Sequence, residues 1–270
     1  MSLIFKEEGH VYESLDPNET IDWTSVTSLV GLFKPKFDAF AISQKCSKNK
    51  KSKWYGISAD EIRAIWARET KRATDLGSFY HNQREQDLMS FDTLTREGVD
   101  LPIIPPKVQE GIKYAPEQKL IPGVYPEHFV YLKSAEICGQ ADYVDVVNGQ
   151  VNIMDYKTNK EIKARSFESW DGTRSMMNPP LQHIEDCNLM HYTLQMSVYM
   201  YMILKHNPRL TPGKLTLQHI VFERDGSDKY GYPITKYDNG DPVVSEVIKY
   251  EVPYLKDEVM TMINWLKDQK

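Results

Sequence analysis

Residues 139–157 read GQADYVDVVNGQVNIMDYK, two runs rich in β-branched residues with an Asn-Gly pair between them. Asn and Gly both tolerate the positive φ of a two-residue type I′ turn, so this stretch predicts a β-hairpin. The hairpin would bring Asp142 close to Asp155, and the two-residue period of a strand places Asp155 and Lys157 on one face. Two carboxylates and an ammonium group on one sheet face are costly to bury unless they bind a ligand. A hard divalent cation is the natural ligand for such a group.

Further short motifs lie on both sides of this hairpin. In chain order the whole set is Gly77-Ser78-Phe79-Tyr80-His81, Glu127, Gly139-x-x-Asp142, Asp155-x-Lys157 and Gln195-x-x-x-Tyr199. Together, and in this order, the motifs resemble those of the PD-(D/E)xK nucleases, within them the RecB-like branch with stand-alone exonucleases of the phage and mitochondrial type. Ala141 stands where the family name has proline, a difference that affects no ligand.

The resemblance implies an α/β fold with a PD-(D/E)xK restriction-endonuclease-like core, a mixed central β-sheet flanked by helices. It implies one or two Mg²⁺ or Mn²⁺ ions as cofactors, and oxygen-rich sites suit these ions. The implied metal ligands are His81, Asp142, Asp155 and the carbonyl of Tyr156. The implied catalytic residues are Lys157, Asp155, Asp142, Glu127, Gln195 and Tyr199.

Several of these residues also have a purely structural interpretation. A lone histidine such as His81 is commonly a hydrogen-bonded, partly buried side chain. Strand alternation places Glu127 on the same face as Phe129, so it faces either an apolar layer or a metal. Tyr199 belongs to a stretch rich in tyrosine and methionine, which is more often core than site. Gln195 differs from these because a buried amide on an apolar helix face needs a hydrogen-bond partner.

A lysine-rich stretch is the candidate nucleic-acid contact. Seven lysines lie between positions 34 and 53 against one acid, Asp38, and two aromatic residues follow directly. Lysines neutralise phosphates and aromatic rings stack on exposed bases. The predicted nucleic-acid-binding residues are Lys48, Lys50, Lys51, Lys53, Trp54 and Tyr55. The alternative is a solvated, mobile loop.

Composition limits the class of protein. A chain of 270 residues, 41% hydrophobic and 26% charged, is typical of a globular enzyme. The net charge of −5 is not that of a protein that coats DNA. No apolar run approaches the roughly 20 residues that cross a bilayer, and the start lacks the features of a signal peptide. We therefore expect a cytoplasmic protein of a bacterial or phage-infected cell, not secreted and with no membrane partner.

The cysteines point to a reducing compartment. Cys46, Cys138 and Cys187 are odd in number and far apart, which argues against a disulfide framework. Three cysteines also argue against the four-cysteine iron–sulfur cluster of some RecB-like relatives.

We expect a single nuclease domain over residues 1–270, with a helical part at about 24–120 and a sheet and catalytic core at about 121–270. Ser58 and Glu61 form a capping box that opens a helix, and Gly77 is expected to end or kink it. Another helix is predicted over 107–119. Downstream, strands are predicted near 123–132, 136–147, 151–157, 214–223 and 244–251, and helices from about 188 to 205 and over 255–268.

Two further expectations concern the region between hairpin and long helix. Asp186 or Asn188 is expected to cap that helix. Residues 165–186 show no clear periodicity and are expected to form a long loop near the site, since long loops in compact domains are often functional.

The function predicted from these features is metal-dependent hydrolysis of DNA phosphodiester bonds. The preferred form is an exonuclease that acts on single strands or on DNA with a free end, in recombination, replication or repair together with proteins of those processes. The alternatives are a structure-specific or non-specific endonuclease and, from another class, a nucleic-acid-binding factor that keeps the fold without cleaving.

Overall fold

The computed structural model describes residues 3–6, 11–16, 18 and 20–269. The first half of the chain contains β1 (Leu3–Lys6), β2 (Val11–Ser14), β3 (Thr24–Ser25), α1 (Val26–Leu32), α2 (Ala39–Lys48), α3 (Ala59–Met89), β4 (Thr93–Arg96), β5 (Val99–Pro102), β6 (Lys107–Gln109), β7 (Ile112–Tyr114) and β8 (Gly123–Leu132). The second half contains β9 (Ile137–Val147), β10 (Gln150–Lys157), α4 (Asn188–His206), β11 (Thr211–Phe222), β12 (Arg224–Ser227), β13 (Pro233–Thr235), β14 (Tyr237–Asp238), β15 (Asp241–Pro242), β16 (Val244–Val252) and α5 (Lys256–Asp268).

A mixed six-stranded sheet flanked by helices forms the centre of this α/β fold. Its strands run in the order β16, β11, β10, β9, with β8 and the short β3 both paired to β9. β10 and β11 are parallel and joined through α4, whereas β8, β9 and β10 form an antiparallel meander. The main hydrophobic core packs one face of this sheet against α1, α4 and α5. The strands and helices predicted from residue 123 onward are confirmed.

The predicted hairpin is confirmed, and its two strands stop pairing next to the predicted site residues Asp142 and Asp155. Asn148 and Gly149 have φ values of 51° and 77° and join β9 to β10. The two strands pair up to Tyr143 and Met154, so Asp142 and Asp155 are the next facing positions. Further along, β9 pairs on this side with β3, at Ile137 and Cys138. Because β9 changes its pairing partner from β10 to β3, β9 and β10 separate at Asp142 and Asp155.

The long helix α3 corrects one prediction. Ser58 caps it as expected, accepting a hydrogen bond from the backbone N–H of Glu61. The helix then continues through Gly77 to Met89 without ending there. Leu76, next to the glycine, is buried in a cluster against the sheet, and this packing outweighs the roughly 1 kcal/mol that glycine costs a helix. A Cβ on Gly77 would lie 3.2 Å from Oγ1 of Thr158, so glycine permits this close crossing.

The helix predicted over 107–119 is wrong. Residues 107–114 form the β6–β7 hairpin, with positive φ at Glu110 and Gly111. This hairpin extends a small sheet of order β2, β1, β7, β6. Pairing with β1 supplies backbone hydrogen bonds that a local pattern does not reveal, so the part at 24–120 is less helical than predicted.

The N-terminus of α4 differs from expectation, whereas the segment before it agrees. Cys187 is the N-cap residue of α4 and makes no side-chain cap. Neither predicted residue caps the helix, since Asp186 accepts a hydrogen bond from Nε2 of His191 at 2.7 Å and Asn188 is the first helical residue. Residues 165–186 contain no helix or named strand, as predicted, and are held by isolated bridges. Among the described helices, none combines the length and apolar character needed to span a membrane.

Candidate functional site

An open cleft of about 920 Å³ lies where α3, the small sheet and the open end of the β9–β10 hairpin meet. Of the eight residues predicted as catalytic or metal-binding, seven line this cleft and the eighth, Asp155, is buried next to it. Those lining the cleft are His81, Glu127, Asp142, Tyr156, Lys157, Gln195 and Tyr199. Asp155 is 2% exposed and lies beneath Lys157.

Three of these side chains form a cluster suited to a metal ion. One ligand atom each from His81, Glu127 and Asp142 lies within 4.8 Å of the others. They come from α3, β8 and β9, so only the tertiary fold brings them together. Two carboxylate oxygens and one imidazole nitrogen are a ligand set that Mn²⁺ accepts readily and Mg²⁺ accepts less readily.

His81 links the helix to both strands. Its Nε2 atom donates to the carbonyl of Tyr156 at 3.0 Å, and its Nδ1 atom lies 3.3 Å from Oδ1 of Asp142. Burial opposes the charged imidazole, but the carboxylates of Asp142 and Asp155 outweigh burial and raise the pKa of His81 to about 9. A bound cation would take the place of this proton.

Glu127 is held in an unusual backbone conformation. Its φ is 46° in the middle of β8, a left-handed value that non-glycine residues rarely adopt and that is often associated with functional sites. Burial and the nearby carboxylate of Asp142 raise the pKa of Glu127 to about 8. Lys113 lies 3.9 Å from Oε2 of Glu127 and is only a partial counter-ion. The protein therefore crowds two carboxylates, which favours a cation between them.

Asp142, Asp155 and Lys157 meet at the open end of the hairpin. Asp142 accepts a hydrogen bond from the backbone N–H of Tyr156 at 2.7 Å. Burial disfavours its charged form, but His81 and Lys157 lower the pKa of Asp142 below its ordinary value. Asp155 instead forms an ion pair with Lys157, and burial raises the pKa of Asp155 to about 6. The carboxylate of Asp155 thus neutralises the lysine and lies outside the three-residue cluster.

Tyr156 contacts α3 through both its carbonyl and its ring. Its carbonyl accepts the His81 hydrogen bond, and its ring packs edge-on against Tyr80 of α3. These contacts fix the position of α3 against β10.

The helix α4 supplies the wall opposite α3. The amide nitrogen of Gln195 lies 3.5 Å from the hydroxyl of Tyr199, at the long end of hydrogen-bond distance. Burial raises the pKa of Tyr199 well above its ordinary value, so the hydroxyl stays protonated. The ring of Tyr192 lies 4.9 Å from Nζ of Lys157 and covers the lysine from the same helix.

Some residues that line the cleft do not belong to any of the sequence motifs. Lys113 lies 3.8 Å from Glu85 and 3.5 Å from the amide oxygen of Gln140. No local signal marks Lys113, because it reaches the cleft only through pairing of β7 with β1. On α3 the sequence does carry a signal, because small and polar residues recur at helical spacing and form one face of the helix. The members of this face that line the cleft are Thr70, Ala73, Thr74, Gly77, Ser78, His81 and Asn82.

Asp145 belongs to a separate network. It is fully buried and contacts Nε of Arg96 at 3.0 Å, the hydroxyl of Tyr143 at 3.1 Å and the amide of Asn152 at 2.7 Å. These contacts satisfy the carboxylate, so Asp145 is not available to the cleft.

In the lysine-rich stretch, three of the lysines predicted to bind nucleic acid are exposed, but one predicted base-stacking residue is buried. Lys48, Lys50 and Lys51 are exposed at the end of α2 and in the turn after it. Trp54, however, is 6% exposed and packs against Trp66, so its face is covered and cannot stack on a base.

The two residues that flank Trp54 differ: Lys53 has a structural contact, whereas Tyr55 is available to a ligand. Lys53 donates to the carbonyl of Tyr230 at 2.7 Å and lies over the Trp54 ring, so it supports the loop at 228–232. Tyr55 remains 52% exposed.

Comparison with known proteins returns no match to any family model, curated protein or solved structure.

Proposed function

We propose that this protein is a metal-dependent nuclease that hydrolyses DNA phosphodiester bonds, with a PD-(D/E)xK core of the RecB-like type. One observation carries the proposal. A cluster of His81, Glu127 and Asp142 adjoins the buried Asp155–Lys157 ion pair on an open cleft. Packing alone does not favour such a group, because each buried charge has a desolvation cost.

The cluster suits Mn²⁺ or Mg²⁺, and its residues would hold the ion. When bound, such an ion supplies an activated water and polarises a phosphoryl oxygen. Asp142 presents a low-pKa carboxylate that is charged at neutral pH. Glu127 presents a second oxygen from its strained position in β8, and His81 a nitrogen.

Lys157 acts on the phosphate or on the attacking water. Burial disfavours its ammonium, but Asp155 and Asp142 raise the pKa of Lys157 above its ordinary value. The side chain therefore stays protonated and donates hydrogen bonds rather than acting as a base. A fixed cation of this kind stabilises the charge that develops on the phosphoryl oxygens in the transition state. Asp155 orients it through the ion pair.

Gln195 and Tyr199 add neutral donors on the α4 side. Both line the cleft, and the Tyr199 hydroxyl keeps its proton. They would position the attacking water or a non-bridging oxygen of the substrate. The preferred substrate is a single strand or DNA with a free end; an endonuclease with the same site is the second candidate.

The test is cleavage of linear and closed circular DNA, single- and double-stranded, with Mn²⁺, with Mg²⁺ and with EDTA. We expect loss of linear DNA only with metal, and no cleavage by the Asp142→Asn variant. Cutting of closed circles at the rate of linear DNA would establish the endonuclease instead. DNA binding without cleavage under every metal condition would establish the non-cleaving factor.

A further inference from the structure

Two of the most exposed aromatic side chains in the described part of the protein lie in the segment between the hairpin and α4. Trp170 is 99% exposed and Phe167 is 77% exposed. Large apolar side chains left fully in water are costly to solubility and often mark binding surfaces.

Backbone hydrogen bonds hold together the segment that presents them. Residues 167–175 form a small hairpin, in which Ser175 N donates to Phe167 O at 2.9 Å and Ser169 N donates to Thr173 O at 2.8 Å. The turn at its tip closes through Gly172 N to Ser169 O at 3.0 Å. We define residues 167–175 as the aromatic hairpin.

The carboxylate of Glu185 binds several groups at the base of the aromatic hairpin. Glu185 accepts from Ser166 N at 2.9 Å and from Nη1 of Arg165 at 2.7 Å. Arg174 also lies 3.8 Å from Glu185, and Arg174 and Glu168 form an ion pair across the hairpin. The rings are thus exposed on an ordered support, which lowers the entropy lost on binding.

This base is joined to the wall of the candidate active site. Ser175 and His191 both contact Asp186, at 3.4 Å and 2.7 Å. On α4, His191 is followed by Tyr192. The ring of Tyr192 covers Lys157, and its hydroxyl donates to Asn159 at 2.7 Å. The aromatic hairpin is thus connected, through Asp186 and α4, to the wall of the cleft beside Lys157.

Positive charge marks the connecting path. Between Lys157 and the aromatic hairpin the exposed cations are Lys160, Lys163 and Arg165, against one acid, Glu161. Ile162 is buried in the main core, and Lys163 O accepts from Leu189 N at 3.1 Å, so the path is anchored to the body of the protein. The cations can form ion pairs with phosphates, and the aromatic rings can stack on unpaired bases.

We infer that residues 160–174 bind the single-stranded portion of a DNA substrate, with Lys160 and Lys163 on phosphates and Phe167 and Trp170 stacked on unpaired bases. The inference rests on the proposed function, since it assigns the strand in the cleft to DNA. It narrows the substrate to DNA that carries an unpaired overhang beside the cleavage site.

The test compares binding of a labelled duplex with a single-stranded overhang, of either polarity, and of the matched blunt duplex, in EDTA so that no strand is cut. The Phe167→Ala/Trp170→Ala variant should bind one of the overhang substrates about ten-fold or more weakly. Its binding to the blunt duplex should stay within about two-fold, as for a surface substitution. Trp170→Phe keeps a stacking ring and is the matched control, with affinity close to that of the wild type.

A second readout uses tryptophan fluorescence. A short oligothymidylate should quench part of the wild-type emission, and Trp170→Phe should remove that part. Unchanged overhang binding in the double alanine variant would overturn the inference. Loss of self-association by that variant, with DNA binding unaltered, would overturn it in favour of contact between copies of the chain.

The two proposals fail in different ways. If wild-type protein cuts no DNA with Mn²⁺ but the double alanine variant loses overhang binding, the nuclease proposal fails and the binding surface stands. If the wild type cuts DNA and the variant binds and cuts overhang substrates normally, the surface assignment fails and the nuclease stands.

Discussion

A Cβ atom on Gly139 would lie 2.9 Å from Cε1 of Tyr199. The glycine of the Gly139-x-x-Asp142 motif and the tyrosine of the Gln195-x-x-x-Tyr199 motif are therefore in direct contact. The same Cβ would lie 3.1 Å from Cγ2 of Val26 in α1. The glycine is required here for a close approach of strand and helix that places Tyr199 above the open end of the β9–β10 hairpin.

Gly139→Ala should destabilise the protein by about 1–3 kcal/mol, because an added methyl group overpacks a filled site. Tyr199→Leu removes the ring that the methyl group meets, so the double variant should show a favourable coupling energy in urea unfolding. Tyr199→Phe keeps Cε1 and serves as the control that should not rescue. An additive effect with Tyr199→Leu would contradict the contact.

Mn²⁺ should raise the melting temperature of the wild-type protein. An ion that binds only the folded state adds about 2.7 kcal/mol of stability at a hundredfold excess over its dissociation constant. Asp142→Asn should abolish the shift in a thermal melt, since Asp142 is one of the three clustered side chains that we propose as metal ligands. Glu246→Gln changes an exposed acid on β16 and should leave the shift intact. Equal shifts in both variants would rule out the assigned cluster.

Removal of either member of the Asp155–Lys157 ion pair should lower cleavage by roughly 10²–10³-fold. Lys157→Met also leaves the buried Asp155 carboxylate without its cation, which costs about 3–5 kcal/mol of stability. The Asp155→Asn/Lys157→Met double variant should recover stability without recovering activity. Chemical unfolding and single-turnover cleavage, measured on the same samples, separate the two effects. Recovery of cleavage in the double variant would show that neither charge acts on the substrate.

Acid should destabilise the fold through His128. Burial lowers the pKa of this histidine to about 4, so the unfolded chain binds a proton more readily than the folded one. Its contribution is constant above the unfolded pKa of about 6.5, and stability falls as the pH drops from there towards 4, by on the order of 3 kcal/mol. His128→Phe keeps a buried ring and removes the proton site.

The measurement for His128 is the difference in unfolding free energy between wild type and His128→Phe across this pH range. Taking the difference cancels other titrating groups, among them Glu127, whose raised pKa acts in the opposite direction. A difference that does not change with pH would show that His128 titrates normally in the folded state.

The exposed lysines after α2 should contribute to DNA binding through charge alone. Replacing Lys48, Lys50 and Lys51 with alanine should weaken binding for all sequences and reduce the log–log salt slope by about 0.7 for each lost phosphate contact on a single strand. Lys53→Ala should instead lower stability, because Lys53 holds the backbone of Tyr230. Salt-dependent anisotropy titrations and thermal melts distinguish the two. An unchanged slope in the triple variant would leave these lysines as a solvated face.

Local chemistry determined much of the fold in advance. The Asn148-Gly149 turn, the Ser58 cap and the antiparallel pairing of β9 with β10 depend on neighbours a few residues away, so the sequence predicts them directly. The same holds for the convergence of Asp142 with Asp155, because hairpin register follows from the turn.

Other features depend on partners distant in the chain. The continuation of α3 through Gly77 depends on the burial of Leu76, and the strand at Lys113 depends on pairing with β1. The covering of Trp54 by Tyr230 likewise joins two distant segments. Local propensity cannot report these contacts, since each is a long-range packing or pairing energy.

The sequence by itself determined which residues could form a metal site, because carboxylates and imidazole are identified by type and spacing. Only the tertiary structure decided how they are divided. It groups Glu127 with His81 and Asp142, and it gives Asp155 to Lys157. The physical reason is that α3, β8, β9 and β10 meet only after the sheet and its covering helix have packed. That packing decides which carboxylate is paired with the lysine and which ones lie together beside the histidine.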